Sequence, residues 1–329
     1  MLLVTGGAGF IGSGFLHYLK RVTDEEVIVL DSITYAGNEE YIPDNCKFVW
    51  CDISDKEHVD YIFDKFNPRK VFNFAAESHV DNSIRDVTPF INTNITGTVN
   101  LLSASVTVGV EKFHHISTDE VYGSLELGED KLFTEQTPYD PRNPYSATKA
   151  AAEHMVKTWY NTYGLPYLIT SAANNYGPRQ HPEKLVPKVI SNALENKVTN
   201  MYGGGQQIRD WIHVDDHCDA IWELDKQNIL NEKFNIASGH ELPNMEITKK
   251  ILDILGKPHS LIGVSNERPG QDQRYGTDFS KLRERTGWSP KIDFDEGLRN
   301  TIDISTLWVL NIVKGNVSST VQRLPQRNK

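Results

Sequence analysis

Cysteine is scarce in this chain: three in 329 residues, Cys46, Cys51 and Cys218. Their spacing fits neither a metal site nor a disulfide framework, so no metal is expected and a reducing, cytoplasmic location is. Net positive charge is also absent. Thirty-four Lys and Arg face 44 Asp and Glu, a formal charge of −10. That argues against a general binder of nucleic acid or anionic membrane, and any phosphate must be held by local groups. No apolar run approaches the roughly 18 residues of a membrane span. No basic leader precedes the first strand-like run, so no cleaved signal is expected. Repeats and low-complexity blocks are missing too. With 39% hydrophobic and 24% charged residues, the chain has an ordinary globular composition and length for one large α/β domain or two smaller ones.

What is present is alternation. Short β-branched apolar runs occur at "MLLVT", 26–31, 47–52, 70–76, 112–118 and 166–172, of the kind buried on both faces of a parallel sheet. Helical patterns near 10–21, 55–66, 89–108 and 144–163 separate them. The expectation is an α/β, Rossmann-like doubly wound parallel sheet over 1–173. Beyond it the alternation fades and Gly and Pro become frequent, which predicts a smaller substrate-binding lobe over 174–329. A late strand near 233–238 returns to the first domain, and the polar tail from about 315 is expected to fray.

The first turn carries the clearest motif. "LLVTGGAGFIGSGFL" sets Gly6, Gly7, Gly9 and Gly12 between a strand and a helix. Glycines there allow a tight turn and close approach of a pyrophosphate, which sits on the helix N-terminus beside Phe10 and Ile11. Asp31 follows nineteen residues after Gly12, where an acid hydrogen-bonds the adenosine ribose and repels a 2′-phosphate. "DSITYAGN" contains no Lys or Arg to receive such a phosphate, so NAD is expected rather than NADP. Asp52 and Ile53 end the third strand, where they meet the adenine or cap the next helix with Ser54. Ala75 ends the fourth strand beside the same site.

Tyr145 and Lys149 lie four apart in "NPYSATKAAAEH", on one face of a helix. A nearby ammonium favours tyrosinate, lowering a phenol from its usual value of about 10 and suiting it to take a proton from a hydroxyl. In "HISTDEVYGS" two carboxylates, Asp119 and Glu120, follow a strand end at Thr118. Ser117-x-x-Glu120 has capping-box spacing, but "VYGSLELGEDKLF" shows no helical period, so the box has nothing to cap. Two neighbouring carboxyls at the carboxyl end of a parallel strand can instead act as an acid and a base.

Together "GGAGFIGS", "LDSITYAGN", "AAESHVDNSI", "STDEVYG", "NPYSATKAAAEH", "NNYGP" and "RPGQDQRYG" resemble the nucleoside-diphosphate-sugar 4,6-dehydratases of the extended short-chain dehydrogenase/reductase family, of the dTDP-glucose type. The resemblance implies that Thr118 and Tyr145 touch the sugar 4-hydroxyl while Lys149 holds the nicotinamide ribose. Oxidation at C4 acidifies the C5 proton. Glu120 removes it, Asp119 protonates the departing 6-hydroxyl, and the hydride returns to C6. The product is a 4-keto-6-deoxy sugar, inverted at C5 if reprotonated from the opposite face. The resemblance also implies a homodimer through the helices near 89–108 and 144–163.

By the same resemblance Ser78, Ser83 and Asn94 lie near sugar and diphosphate. Asn175, Lys184, Leu185, Tyr202 and Tyr275 line the nucleotide, and Arg209, Arg268 and Arg274 clamp diphosphate and ribose. His79 and His213 read as structural. Three departures stand out. Ser171-Ala172-Ala173 replaces an expected Arg and small pair, which predicts a larger or differently wired pocket. Asn82 replaces an Arg, and Gln271 and Gln273 replace His and Arg. These point toward a UDP-sugar, such as UDP-N-acetylglucosamine, rather than dTDP-glucose. A 4-epimerase or decarboxylase on the same scaffold would not need the adjacent Asp-Glu pair, and an inert NAD-binding sensor would need none of the cluster.

Overall fold

The computed structural model describes residues 1–313, so the tail expected to fray lies outside the described residues. The first half alternates strand and helix: β1 (Leu2–Thr5), α1 (Phe10–Val22), β2 (Val27–Asp31), β3 (Lys47–Trp50), α2 (Lys56–Phe66) and β4 (Lys70–Asn73). Short helices α3 (Val80–Arg85) and α4 (Thr88–Phe90) lead through a π-helical stretch, Ile91–Gly97, into α5 (Thr98–Val108). Then come β5 (Lys112–Thr118), α6 (Pro144–Tyr163), β6 (Tyr167–Ala172) and β7 (Asn174–Tyr176). The rest comprises α7 (Leu185–Leu194), β8 (Thr199–Tyr202), β9 (Ile208–His213), α8 (Val214–Lys226), β10 (Glu232–Ile236), β11 (Glu241–Pro243), α9 (Asn244–Ile254), β12 (Ile262–Ser265), α10 (Ser280–Thr286) and α11 (Phe294–Val313).

Seven strands form one parallel sheet in the order β10-β6-β5-β4-β1-β2-β3. Strands β1, β4 and β6 are buried along their whole length, which is why they read as continuous apolar runs rather than alternating ones. The strand order reverses at β1, which pairs with β2 on one side and β4 on the other. Such a switch point opens a crevice at the carboxyl ends of the strands.

The alternation that fades in sequence after residue 173 resumes in space. Helix α8 packs on α1, with Val214, Cys218 and Ile221 in the same core cluster as Leu2, Phe15 and Leu19. The Tyr18 hydroxyl donates to Asp219 at 2.6 Å. Strand β10 then pairs with β6, Asn235 opposite Ser171. Helix α10 also joins this core through Leu282, while most of the remaining elements gather around a core of their own. A three-stranded sheet, β11-β9-β7, and a parallel pair, β12-β8, accompany a core of Tyr176, Val189, Ile190, Trp211, Ile251 and Leu298.

Candidate active site

The site begins at the glycine turn. Gly6 has φ +69°, and a Cβ added there would lie 2.5 Å from the Ala75 backbone nitrogen. A Cβ on Gly12 would lie 2.1 Å from the Gly6 carbonyl oxygen. Helix α1 starts at Gly9 with no side-chain cap, leaving its first N–H groups free to face an anion. Asp31 closes the turn, its carboxylate accepting from the backbone N–H of Ala8 (2.9 Å) and Ile33 (2.8 Å). These features fit a dinucleotide: room for its pyrophosphate where side chains are excluded, and an acid beyond it.

From this turn a cleft of about 600 Å³ runs along the carboxyl ends of the strands to β5 and α6. Gly6, Gly9, Phe10, Ile11, Gly12, Asp31, Asp52, Ile53 and Ala75 line one part. Ser78, Thr118, Asp119, Glu120, Tyr145, Lys149, Asn175 and Lys184 line the other. Asp52 accepts from the N–H and hydroxyl of Ser54, while the α2 cap is Asp55.

The two carboxylates sit on a single 3₁₀ turn, Asp119–Tyr122, capped by the Thr118 hydroxyl, which accepts from the Glu120 N–H at 3.3 Å. The expectation that nothing helical follows the strand is therefore corrected. The turn is one residue register away from the Ser117 box, and Gly123 at φ +91° ends it before any helical period can show. Asp119 is fully buried and accepts from Thr277 at 3.3 Å. Burial, with Glu120 and Asp210 as like charges, holds its carboxyl well above the usual carboxylate range. Burial also raises Glu120, but the cations Arg209, Lys184 and Arg268 work against the rise. The neighbours thus differ in proton affinity: Asp119 is the proton holder and Glu120 the more readily ionised. Asn143, the residue before Pro144, donates to Glu120 at 3.4 Å.

Tyr145 and Lys149 share a face of α6 as expected, but the expected lowering of the phenol is not found. Burial and the Glu120 charge push the Tyr145 phenol up. The Lys149 ammonium instead donates to the Ile116 carbonyl at 2.8 Å, and burial brings it down to about 8.

Several residues expected at the substrate are not among those lining the cleft. Ser83 and Asn94 are buried struts. The Ser83 hydroxyl accepts from the Tyr145 N–H, and Asn94 bonds the Glu77 backbone and Thr148. Leu185 packs into the second lobe's core. Arg274 is clamped by Glu241 at 2.6 and 2.8 Å, and Arg209 by the carbonyls of Ile208, Asp272 and Gln273 over the Tyr275 ring. Tyr275 itself is buried against Asp272. Arg268 and Tyr202 both contact Asp81, at 3.0 and 3.2 Å. Arg209 and Arg274 are thus held by groups within the protein, whereas the Nε of Arg268 is buried with no partner among the described residues. Ser171 does not enlarge the cleft either, because its hydroxyl lies behind the floor against Glu153. His79 and His213 are helix caps, each accepting a backbone N–H through Nδ1. Sequence reasoning missed Thr277 and Asn143. The "NPY" start of α6 was a signal for Asn143 as an N-cap, whereas Thr277 meets Asp119 across 158 residues with no local signal.

A family model described as GDP-mannose 4,6 dehydratase matches residues 3–301. The chain belongs to this family of NAD-dependent nucleotide-sugar dehydratases. It is 44% identical to the dTDP-glucose 4,6-dehydratase of Neisseria gonorrhoeae, covering 92% of this chain and 94% of that one. The structure of a dTDP-glucose 4,6-dehydratase from Streptomyces venezuelae, described with NAD and TYD bound, superposes with a TM-score of 0.89 at 40% identity, covering 93% and 97% of the two chains. The UDP-glucose 4-epimerase of Thermotoga maritima superposes with a TM-score of 0.88 at 32% identity, over 94% and 99%. The scaffold is thus shared with epimerases, while the closer sequence likeness is to dehydratases.

Proposed function

We propose that the protein removes water across C5 and C6 of a nucleoside-diphosphate hexose of the dTDP-glucose type, giving the 4-keto-6-deoxy sugar. The observation that carries this reading is the unequal carboxyl pair, Asp119 and Glu120, lining one cleft with Tyr145 and Lys149. Bound NAD+ supplies a hydride acceptor and donor. The chain's own groups do the proton work. Thr118 and Tyr145 orient the sugar 4-hydroxyl, whose proton Tyr145 can take only as the tyrosinate, the form a neighbouring cation favours. Lys149, on the same face of α6 as Tyr145, would hold the cofactor's ribose. The Glu120 carboxylate takes the C5 proton once C4 is a ketone. Asp119, held protonated by burial, gives its proton to the departing 6-hydroxyl.

The closed floor at Ser171 removes one support for a bulky 2-substituent, so dTDP-glucose is the first substrate to test. Purified protein is incubated with dTDP-glucose, UDP-glucose and UDP-N-acetylglucosamine, and the products are weighed. Loss of one water from dTDP-glucose is expected. An unchanged mass with a changed C4 configuration would replace the reading by epimerisation, and preferential loss from UDP-N-acetylglucosamine would replace the substrate. Proton NMR of the product reports the C5 configuration. A homodimer through α5 and α6, where Tyr160 and Tyr163 are exposed, and a cytoplasmic location belong to the same reading. Sedimentation tests the dimer.

A further inference from the structure

Behind the cleft floor lies a buried ion pair that the reaction does not use. Helix α6 carries Tyr145, Lys149 and Glu153 at successive intervals of four, so one stripe runs from the cleft into the core. Glu153 has no exposed surface, and Lys233 of β10, 94% buried, meets it at 2.8 Å. The Tyr139 hydroxyl and, at 3.3 Å, the Ser171 hydroxyl also donate to Glu153. Lys233 lies 4.3 Å over the Tyr122 ring and 4.6 Å over the Tyr139 ring, and its ammonium also contacts the Tyr139 hydroxyl. Glu135 bonds the neighbouring Asn235 N–H, and Lys157 reaches Tyr139 from α6.

A buried charge pair is costly to assemble and seldom improves stability over apolar residues of the same shape. A fold that keeps one on the same stripe as Lys149 has a second use for the charge. Position 171, where the family resemblance leads to an expected Arg, is Ser. The strand next to it, β10, supplies the cation two residues before Asn235, which is the partner of Ser171.

We propose that Lys233 is a positioning residue of the active site: through its ion pair with Glu153 it sustains the ammonium of Lys149, one helical turn away on α6. Glu153 is held below the usual carboxylate range chiefly by Lys233. Glu153 is in turn the charge that opposes the effect of burial on Lys149. The other groups around Lys149 are Tyr145 on its own helix, Asp119 and Glu120 on the 3₁₀ turn, and His115 on β5, which burial keeps neutral. Without Lys233 the buried Glu153 takes up a proton, and the charge supporting Lys149 is lost.

This inference rests on the proposed role of Lys149 in holding the cofactor. The test is NAD affinity of the full-length protein from pH 6 to pH 10, alongside urea unfolding. In the wild type, affinity weakens as pH rises through the Lys149 value, about 8 in the free protein. The E153Q/K233M double variant removes both charges without stranding either. Its weakening is expected to begin on the order of one pH unit lower, a roughly tenfold lower affinity per unit of displacement. K233R is expected to keep the wild-type midpoint, and K233T/S171R, which moves the cation back to β6, to restore it. A folded double variant with an unmoved midpoint overturns the inference, because a merely structural pair changes stability alone. A folded K233T/S171R whose midpoint stays displaced overturns it equally. K149M separates the two claims. If it binds NAD and turns over normally, the role of Lys149 falls; if it is crippled while the double variant's midpoint is unmoved, only the inference about Lys233 falls.

Discussion

At the scale of the residue, the chemistry depends on two carboxyls that share a turn and differ in environment. Asp119 is enclosed, with Glu120 and Asp210 as like charges, while Glu120 feels Arg209, Lys184 and Arg268. The signs follow. In the proposed mechanism Glu120 works ionised, so turnover is expected to fall as pH drops through its value, which burial raises above that of a free glutamate. In the same mechanism Asp119 works protonated, so turnover is expected to fall as pH climbs through its value. A bell-shaped rate profile is expected, its two limbs belonging to the pair rather than to either residue alone. Glu120→Gln is expected to cut turnover by about 10²–10⁴-fold while NAD affinity, measured by fluorescence quenching, stays unchanged. Full turnover in that variant would remove the base. Gly12 gives a test at the other end of the cleft. Gly12→Ala drives a methyl group to 2.1 Å from the Gly6 carbonyl, so NAD binding is expected to be lost even where circular dichroism shows a folded protein.

At the scale of the element, α6 ties stability to chemistry through its N-cap. Asn143 caps the helix by accepting from the Ser146 N–H at 2.9 Å, in a reciprocal capping box, and its amide also reaches Glu120. Asn143→Ala is expected to cost about 1 kcal/mol in urea unfolding and to lower turnover as well. Asn143→Asp keeps the cap but sets a carboxylate beside Glu120. Its unfolding midpoint should stay near the wild type while the acid limb of the rate profile moves to higher pH, because a like charge raises Glu120. An unmoved limb would mean that the Asn143 amide does not act on Glu120. Helix α6 was legible for the same local reasons: Asn-Pro marks its start, and Tyr145 and Lys149 repeat at helical spacing. The glycine turn was legible because strand, turn and helix are contiguous. What sequence could not show is pairing across the chain. Helix α8 looks like part of a second lobe until it meets α1, and Thr277, Lys233 and Glu241 find Asp119, Glu153 and Arg274 only after folding. The arginines were not decidable from sequence, because a guanidinium suited to phosphate is equally suited to a carboxylate or to backbone carbonyls.

At the scale of the whole molecule, the same burial that shapes the cleft fills the core with groups of opposite pH preference. His217 on α8 is buried where α8 packs against the sheet, with Nδ1 bonded to Asn175 at 2.9 Å, and burial lowers it to about 3. A histidine kept neutral in the fold favours folding fully above the unfolded value of about 6.5, and that contribution is lost as pH falls toward 3. Asp210 on β9 is the reverse case. Burial raises it to about 6 against the N–H groups of Ser238 and Gly239. Its neutral form favours folding below the unfolded value of about 3.9, and that contribution is lost as pH rises through 6. Between pH 4 and 6 the two groups oppose each other, so the wild-type stability curve conceals both. Differences between proteins expose them. As pH falls from 6.5 to 4.5, His217→Gln should gain on the wild type by up to about 1.4 kcal/mol per pH unit. Over the same interval Asp210→Asn should lose ground from about pH 6 downward. Urea unfolding at half-unit steps of pH reads both slopes. Parallel curves for the wild type and His217→Gln would mean that this histidine is already charged in the fold, and a buried imidazolium beside the sheet would then need an anion that the packing of α8 does not provide.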